Sequence, residues 1–170
     1  MKVILDIETD GFNPTVVHCI VAKDIDTNVV TVFDPNSMYS FKNWSKGVDT
    51  FIMHNGLSFD APVLNKLLDA EILPGNIVDT LILSQLFNPI REKGHSLKAW
   101  GEKLNMLKGG EGVNFSKYNQ AMLDYCKQDV EITHAVYKEL LKESKGFTKE
   151  SIDLEHDIRL ILDQQEKNGF

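Results

Sequence analysis

Three apolar runs rich in strand-forming residues open this chain, at residues 3–7, 16–22 and 28–33, and the links between them are short. A parallel pair needs a crossover of about a dozen residues or more, so runs joined this tightly are expected to pair as an antiparallel meander. Gly11, Asn13 and Pro14 punctuate the first link, and residues 24–27 read as a turn. Asp10, between Thr9 and Gly11, reads as a turn residue. Thr50-Phe51-Ile52-Met53 and Asn76-Ile77-Val78 are two further strand candidates.

Helical spacing then takes over. Leu64, Leu67 and Leu68 mark a helix beginning near Asp60, whose side chain is expected to cap it ahead of Pro62 in the first turn. Leu81, Leu83 and Leu86 mark a second, and Leu97, Trp100 and Leu104 a third with Ser96 as its N-cap. Residues 116–143 are amphipathic throughout, after a glycine-rich stretch at 108–112 that reads as a flexible loop. Gly146 ends that helix and Thr148 starts another. The expected organisation is one domain over residues 1–147 and a C-terminal helical segment over 148–170.

With 170 residues, 42% of them hydrophobic and 25% charged, the chain can bury one sizeable core. No apolar run reaches the roughly 20 residues that span a bilayer, and the N-terminus lacks a secretory pattern. Cys19 and Cys126 show no metal-finger spacing, so a reduced, cytoplasmic setting is expected. The net charge of −7 argues against a long basic track for nucleic acid. It leaves room for a shallow grip on a strand end, provided that some of the acids are occupied by cations.

Three motifs carry the chemistry. Asp6 and Glu8 lie two positions apart at a strand end, so their side chains share a face. Together and buried they repel, unless a hard divalent cation joins their oxygens. The second motif, His54-Asn55-Gly56-Leu57-Ser58-Phe59-Asp60, runs from a strand end into a helix. There Gly56 permits a close backbone approach, Asn55 offers a donor and an acceptor, and Phe59 offers a surface for a base. Tyr125 and Asp129 stand about 6 Å apart along one helix face. Cys126 is expected on another face, as inert packing. Taken singly, each motif also has a bland reading as a solvated strand end, a helix cap or core.

Order gives them weight. Asp-x-Glu on a first strand, Asn-Gly-x-x-Phe-Asp entering a helix and Tyr-x-x-x-Asp on a late helix resemble the DEDD (DnaQ-like) 3′-5′ exonuclease superfamily, in its DEDDy branch. The resemblance implies an α/β ribonuclease H-like fold: a mixed five-stranded sheet, with a three-strand antiparallel meander plus two parallel strands, flanked by helices. Ile77-Val78-Asp79-Thr80-Leu81 and Leu97-Lys98-Ala99-Trp100-Gly101-Glu102-Lys103-Leu104 are similar to the proofreading domain of family A replicative DNA polymerases of short-tailed phages. Asp153-Leu154-Glu155-His156 and the tail from Gln165 to Phe170 are similar to the segment where the polymerase part begins. A polymerase domain in cis, beyond this segment, or in trans is therefore an expected partner.

The same resemblance implies roles. Asp6, Glu8, Asp60 and Asp129 would hold two divalent ions, Mg²⁺ or Mn²⁺, while Tyr125 positions the attacking water. Thr9, His54, Asn55 and Phe59 would flank the terminal nucleotide of a single or frayed DNA 3′ end. The expected products are nucleoside 5′-monophosphates. Two alternatives use the same residues or fewer: a DEDDy exoribonuclease for RNA processing, and a non-catalytic module that binds nucleic acid or a polymerase. Neither a membrane role nor a covalent nucleophile is expected. If phage-encoded, the protein would work in the host cytoplasm.

Overall fold

The computed structural model describes residues 1–106, 109 and 112–169. Of the loop expected at 108–112, residues 108, 110 and 111 lie outside the described residues, as does Phe170 of the tail motif. The strands are β1 (Lys2–Thr9), β2 (Val17–Asp24), β3 (Val30–Phe33), β4 (Thr50–Met53) and β5 (Ile77–Asp79). They form one sheet in the order β3-β2-β1-β4-β5. β1–β2 and β2–β3 are antiparallel, whereas β1–β4 and β4–β5 are parallel. The sheet is therefore the meander with two parallel strands expected of a ribonuclease H-like fold.

Its helices are α1 (Phe41–Ser45), α2 (Asp60–Leu68), α3 (Thr80–Phe87), α4 (Leu97–Lys103), α5 (Gln120–Glu143) and α6 (Lys149–Lys167). Alternation along β1 splits the core in two. Val3, Leu5 and Ile7 face a layer holding Phe41, Leu64 and Phe51, while Ile4 faces Met122, Cys126 and Val130 of α5. Asp6 and Glu8 fall on the face of Ile4, so the sheet aims both acids at α5. A third cluster joins α3, α4 and α5 around the buried Trp100. There the guanidinium of Arg91 sits 4.3 Å from the indole centroid and pairs with Glu143 at 2.7 Å.

Two local expectations need correction. Phe59, not Asp60, occupies the N-cap of α2, and no side chain caps that end; Asp60 is the first helical residue and its carboxyl turns into the protein. The α5 helix begins at Gln120 rather than 116, because the Asn119 side chain accepts from the Met122 N–H and fixes the start there. The caps at Ser96 and Thr148 stand as expected, accepting from Ala99 and Ser151 N–H groups. The short α1 was not legible from spacing. Among the described residues no helix is long and apolar enough to cross a membrane.

Candidate active site

A bulge ends the regular part of β1. Glu8 pairs with Cys19 but Thr9 with Val17, leaving His18 as the extra residue. The inserted residue lies on β2, so it is that strand which the bulge bends and whose side chains it re-aims. His18 Nε2 lies 3.0 Å from the Phe115 carbonyl, which ties the bulge to the segment that leads into α5. After the bulge, the Asp10 carboxylate accepts from the Thr15 hydroxyl at 2.5 Å and from the Thr15 and Val16 N–H groups. Those bonds, the hydroxyl first, hold its pKa down at about 2. Asp10 is a turn residue, as its position implied.

All four motif acids converge. Oxygens of Asp6 and Glu8 and the sulfur of Cys126 lie within 4.8 Å of one another. Asp6 keeps some solvent contact, yet protein crowds its carboxyl, and that burial pushes its pKa well up. The carboxylates of Asp60, Asp129 and Glu8 push it further in the same direction. Asp60, nearly fully buried, is raised to about 7, first by burial and then by the Asp79 carboxylate behind it; backbone N–H groups of Asp60 and Ile7 oppose the rise. Glu8 and Asp129 are buried as well.

A divalent cation among these oxygens would relieve the charge conflict. The donors are carboxylate oxygens, which suit Mg²⁺ or Mn²⁺. The nearby Cys126 sulfur does not alter that donor chemistry. Burial pushes its thiol pKa well up, so it stays protonated, and its sulfur sits 3.4 Å from both the backbone oxygen and Oδ2 of Asp6. Cys126 is buried packing, as expected, but it shares the acid-facing side of α5 rather than another face. Cys19 and Cys126 are both free.

A cleft of about 400 Å³ opens beside the acids, lined by Ile7, Glu8, Thr9, Gly11, Phe12, Phe59, Phe115 and Tyr125. Thr9 donates its hydroxyl to the Gly11 carbonyl at 3.0 Å, which fixes the loop that presents the fully exposed Phe12. Phe115 meets Tyr125 edge-on, with centroids 6.1 Å apart. His54 and Asn55 are not among the lining residues. The His54 Nδ1 lies 2.9 Å from the Thr80 hydroxyl, and Asn55 adopts a left-handed φ of 63° at the turn that leads to Phe59. Gly56 is required by a close approach, but to protein: a Cβ there would lie 2.2 Å from the Met53 Cβ.

Sequence reasoning missed Phe12 and Phe115 in this cleft. An aromatic residue in a Gly-Phe-Asn-Pro turn has no core partner along the chain, and that was a readable signal for Phe12. Phe115 precedes α5 in a segment without periodicity and left no comparable trace.

The sequence pattern of the 3′-5′ exonuclease family matches residues 2–145, the span that carries all four acids and Tyr125. This chain belongs to that family. Among its relatives, it is 27% identical over 231 residues to the DNA-directed DNA polymerase of Escherichia phage T7, covering 99% of this chain and 33% of that one. To the DNA-directed DNA polymerase of Enterobacteria phage T3 it is 30% identical over 176 residues, covering 70% and 25%. The exonuclease chain thus spans a third or less of these relatives' length. Two solved structures share its fold. Brucella melitensis NrnC bound to pGG superposes with a TM-score of 0.67 at 20% identity, covering 98% of this chain and 83% of that one. The family B DNA polymerase of Pyrobaculum calidifontis does so at 0.64 and 17%, covering 91% and 26%.

Proposed function

We propose that this exonuclease is a divalent-metal-dependent 3′-5′ exodeoxyribonuclease that trims single or frayed DNA ends, as the proofreading part of a phage-type DNA polymerase. The observation that carries the reading is the meeting of Asp6, Glu8, Asp60 and Asp129 at the foot of an aromatic cleft. In this reading the four acids hold Mg²⁺ or Mn²⁺, with two ions as the family resemblance implies. Such ions supply an activated water and stabilise the charge that develops on the leaving 3′ oxygen. The chain's own groups do the rest. Tyr125, at the cleft wall one turn before Asp129, orients the attacking water through its hydroxyl. Phe59, Phe12 and Phe115 offer ring faces to the terminal bases, a grip that every base satisfies and that reads no sequence. Thr9 shapes the loop on one side of the cleft, while His54 and Asn55 set the turn that delivers Phe59 and Asp60.

Such a cleft selects for frayed ends. A terminal pair must open before its last phosphate can reach the acids, and a mismatched pair opens at lower cost. Similarity to the phage polymerases favours DNA as the substrate and a polymerase domain, in cis or in trans, as the partner. We read residues 1–147 as the exonuclease unit and 148–170 as the beginning of that further domain. Leu154, Ile158, Ile161 and Leu162 of α6 form an exposed apolar stripe that such a domain would cover. The setting in this reading is the host cytoplasm.

The test is digestion of matched 5′-labelled DNA and RNA oligonucleotides, with and without a 3′ mismatch, in Mg²⁺, Mn²⁺ or EDTA. Faster, metal-dependent shortening of mismatched DNA from its 3′ end is expected. Preferential shortening of RNA would replace this reading with an exoribonuclease, and no shortening of either would leave a binding module. Tyr125→Phe is expected to slow trimming by about 100-fold with little change in DNA affinity, the low end for a group that handles a proton at the water, since the ring itself is kept. Single-turnover kinetics would show this, and an unchanged rate would remove Tyr125 from the mechanism.

A further inference from the structure

Behind the acid cluster, at the end of β5, lies a fifth carboxylate. Asp79 is 1% exposed. Its Oδ1 accepts from the N–H groups of Asn55 and Leu81, both at 2.9 Å, and its Oδ2 accepts from the Leu57 N–H at 3.0 Å. One side chain therefore grips both ends of the turn at 55–57 and caps α3 as well. The turn needs holding, because Asn55 carries a left-handed φ and Gly56 is pressed against Met53. Phe59 and Asp60 come directly after it. Any displacement of the turn moves an aromatic wall of the cleft and one of the four acids.

Asp79 is itself fixed from outside the sheet. β5 is an edge strand, and the Asp79 N–H points away from β4 to His156 Nε2 on α6, at 3.0 Å. His156 Nδ1 lies 2.8 Å from the Ile152 carbonyl, so the ring proton sits on Nδ1 and Nε2 is left as an acceptor. The same helix reaches the loop a second time. Ser58 donates its hydroxyl to Asp163 Oδ2 at 2.6 Å and accepts from Arg159 Nε at 3.0 Å, while Arg159 and Asp163 pair with each other at 2.9 Å. Both contacts come from residues outside the family-matched span of 2–145.

We infer that His156 is a positioning residue for the exonuclease site: by holding the Asp79 backbone it sets the Asp79 carboxylate, and through it the turn at 55–57 that places Phe59 and Asp60. The α6 helix is then a working part of the site and not only a bridge to a further domain. The effect on trimming rests on the exonuclease reading above; the effect on the turn does not.

The test uses the full chain, as wild type, His156→Ala and His156→Gln, free of metal, with amide hydrogen exchange read residue by residue. In His156→Ala the Asp79, Asn55 and Leu57 amides should exchange about tenfold faster, the loss of one well-made hydrogen bond. Ile4 and Ile52 amides should keep their protection. The glutamine variant, whose side-chain oxygen can accept the Asp79 N–H, should recover most of the loss. Unchanged protection at Asn55 and Leu57 in His156→Ala would overturn the inference, and so would a uniform loss that includes Ile4 and Ile52. In the trimming assay, the Mn²⁺ concentration for half-maximal rate should rise about tenfold in His156→Ala, as for other groups that support a metal ligand. An active wild type whose alanine variant keeps the same Mn²⁺ dependence would overturn the role in the site. A wild type that trims nothing would instead remove the exonuclease reading, and the exchange result would still decide the role of His156.

Discussion

Replacing Asp6 by asparagine is expected to abolish metal-dependent trimming while leaving the metal-free protein at least as stable as its parent. Asp6 stands at the centre of the acid cluster, pushed up by burial and by Asp60, Asp129 and Glu8 together. Groups that merely support a metal ligand typically cost about 10–100-fold when removed, so losing a central ligand of the proposed metal site should exceed that range. Asparagine keeps the shape and leaves no cavity, and it removes a carboxyl that gains nothing from being charged without a cation. The paired outcome matters, since an ordinary core defect lowers activity and stability together. Trimming assays and thermal melts in EDTA would read the two effects. Retained trimming would remove Asp6 from the site, and a large drop in melting temperature would show that its role is structural.

The second large effect concerns pH. Asp60 is raised to about 7 in the folded protein, against an ordinary carboxylate value in the unfolded chain. A raised acid binds its proton more tightly when folded. Its contribution to stability is therefore complete below the unfolded value near pH ~4 and is lost as pH rises through about 7. A shift of roughly three units corresponds to stability on the order of 4 kcal/mol. For a chain of this size that is about 10 °C in melting temperature. The rise at Asp6 acts in the same direction.

Asp10, Asp24, Asp34 and Glu143 are shifted downward instead. What they contribute is present above the unfolded carboxylate range and fades only as pH falls below it. Between roughly pH 5 and pH 8 the raised acids meet one opposing group, His134, whose imidazole is held below its usual value first by burial and then by Lys138; the larger shifts at Asp60 and Asp6 outweigh it. Metal-free protein should melt progressively lower across that window. Asp60→Asn should flatten the decline, and Mn²⁺ at the upper end should restore the parent but shift the variant far less. A flat or rising profile for the metal-free parent would contradict the buried-acid account.

The motifs were legible because their chemistry is tied to local structure. Asp6 and Glu8 share a face through the period of a strand, and Tyr125 and Asp129 through that of a helix, so each pair could be read without knowing the other. The sheet was legible for a similar reason: short links force the antiparallel meander. What stayed hidden depends on contacts between distant segments. Asp60 resembles an N-cap by position, and only the packing of α2 on the sheet brings its carboxyl to the Ile7 N–H of β1. Asp79 stands in a run that is similar to phage proteins, but its grip on Asn55 and Leu57 depends on the β4–β5 pairing, which no local spacing reveals. Phe115 reaches Tyr125 through a loop without periodicity. No spacing rule could place His156 against the edge of β5.

The order of the strands also has a consequence for how the molecule assembles. Neighbouring chain segments form the meander, whereas β4 reaches β1 from across the α1 region, and Cys126 lies 120 positions from Asp6. Distant contacts close late, because a larger loop must be ordered before they form. On that order, Asp6 and Glu8 are expected to be in place, in water, before Asp129 joins them as α5 docks. The mutual repulsion of the acids would then fall on the last step of folding. Divalent ions should accordingly slow unfolding far more than they speed folding, and stopped-flow kinetics with and without Mn²⁺ would separate the two limbs. In such a molecule a bound cation would act as a latch on a finished fold rather than as a seed for it.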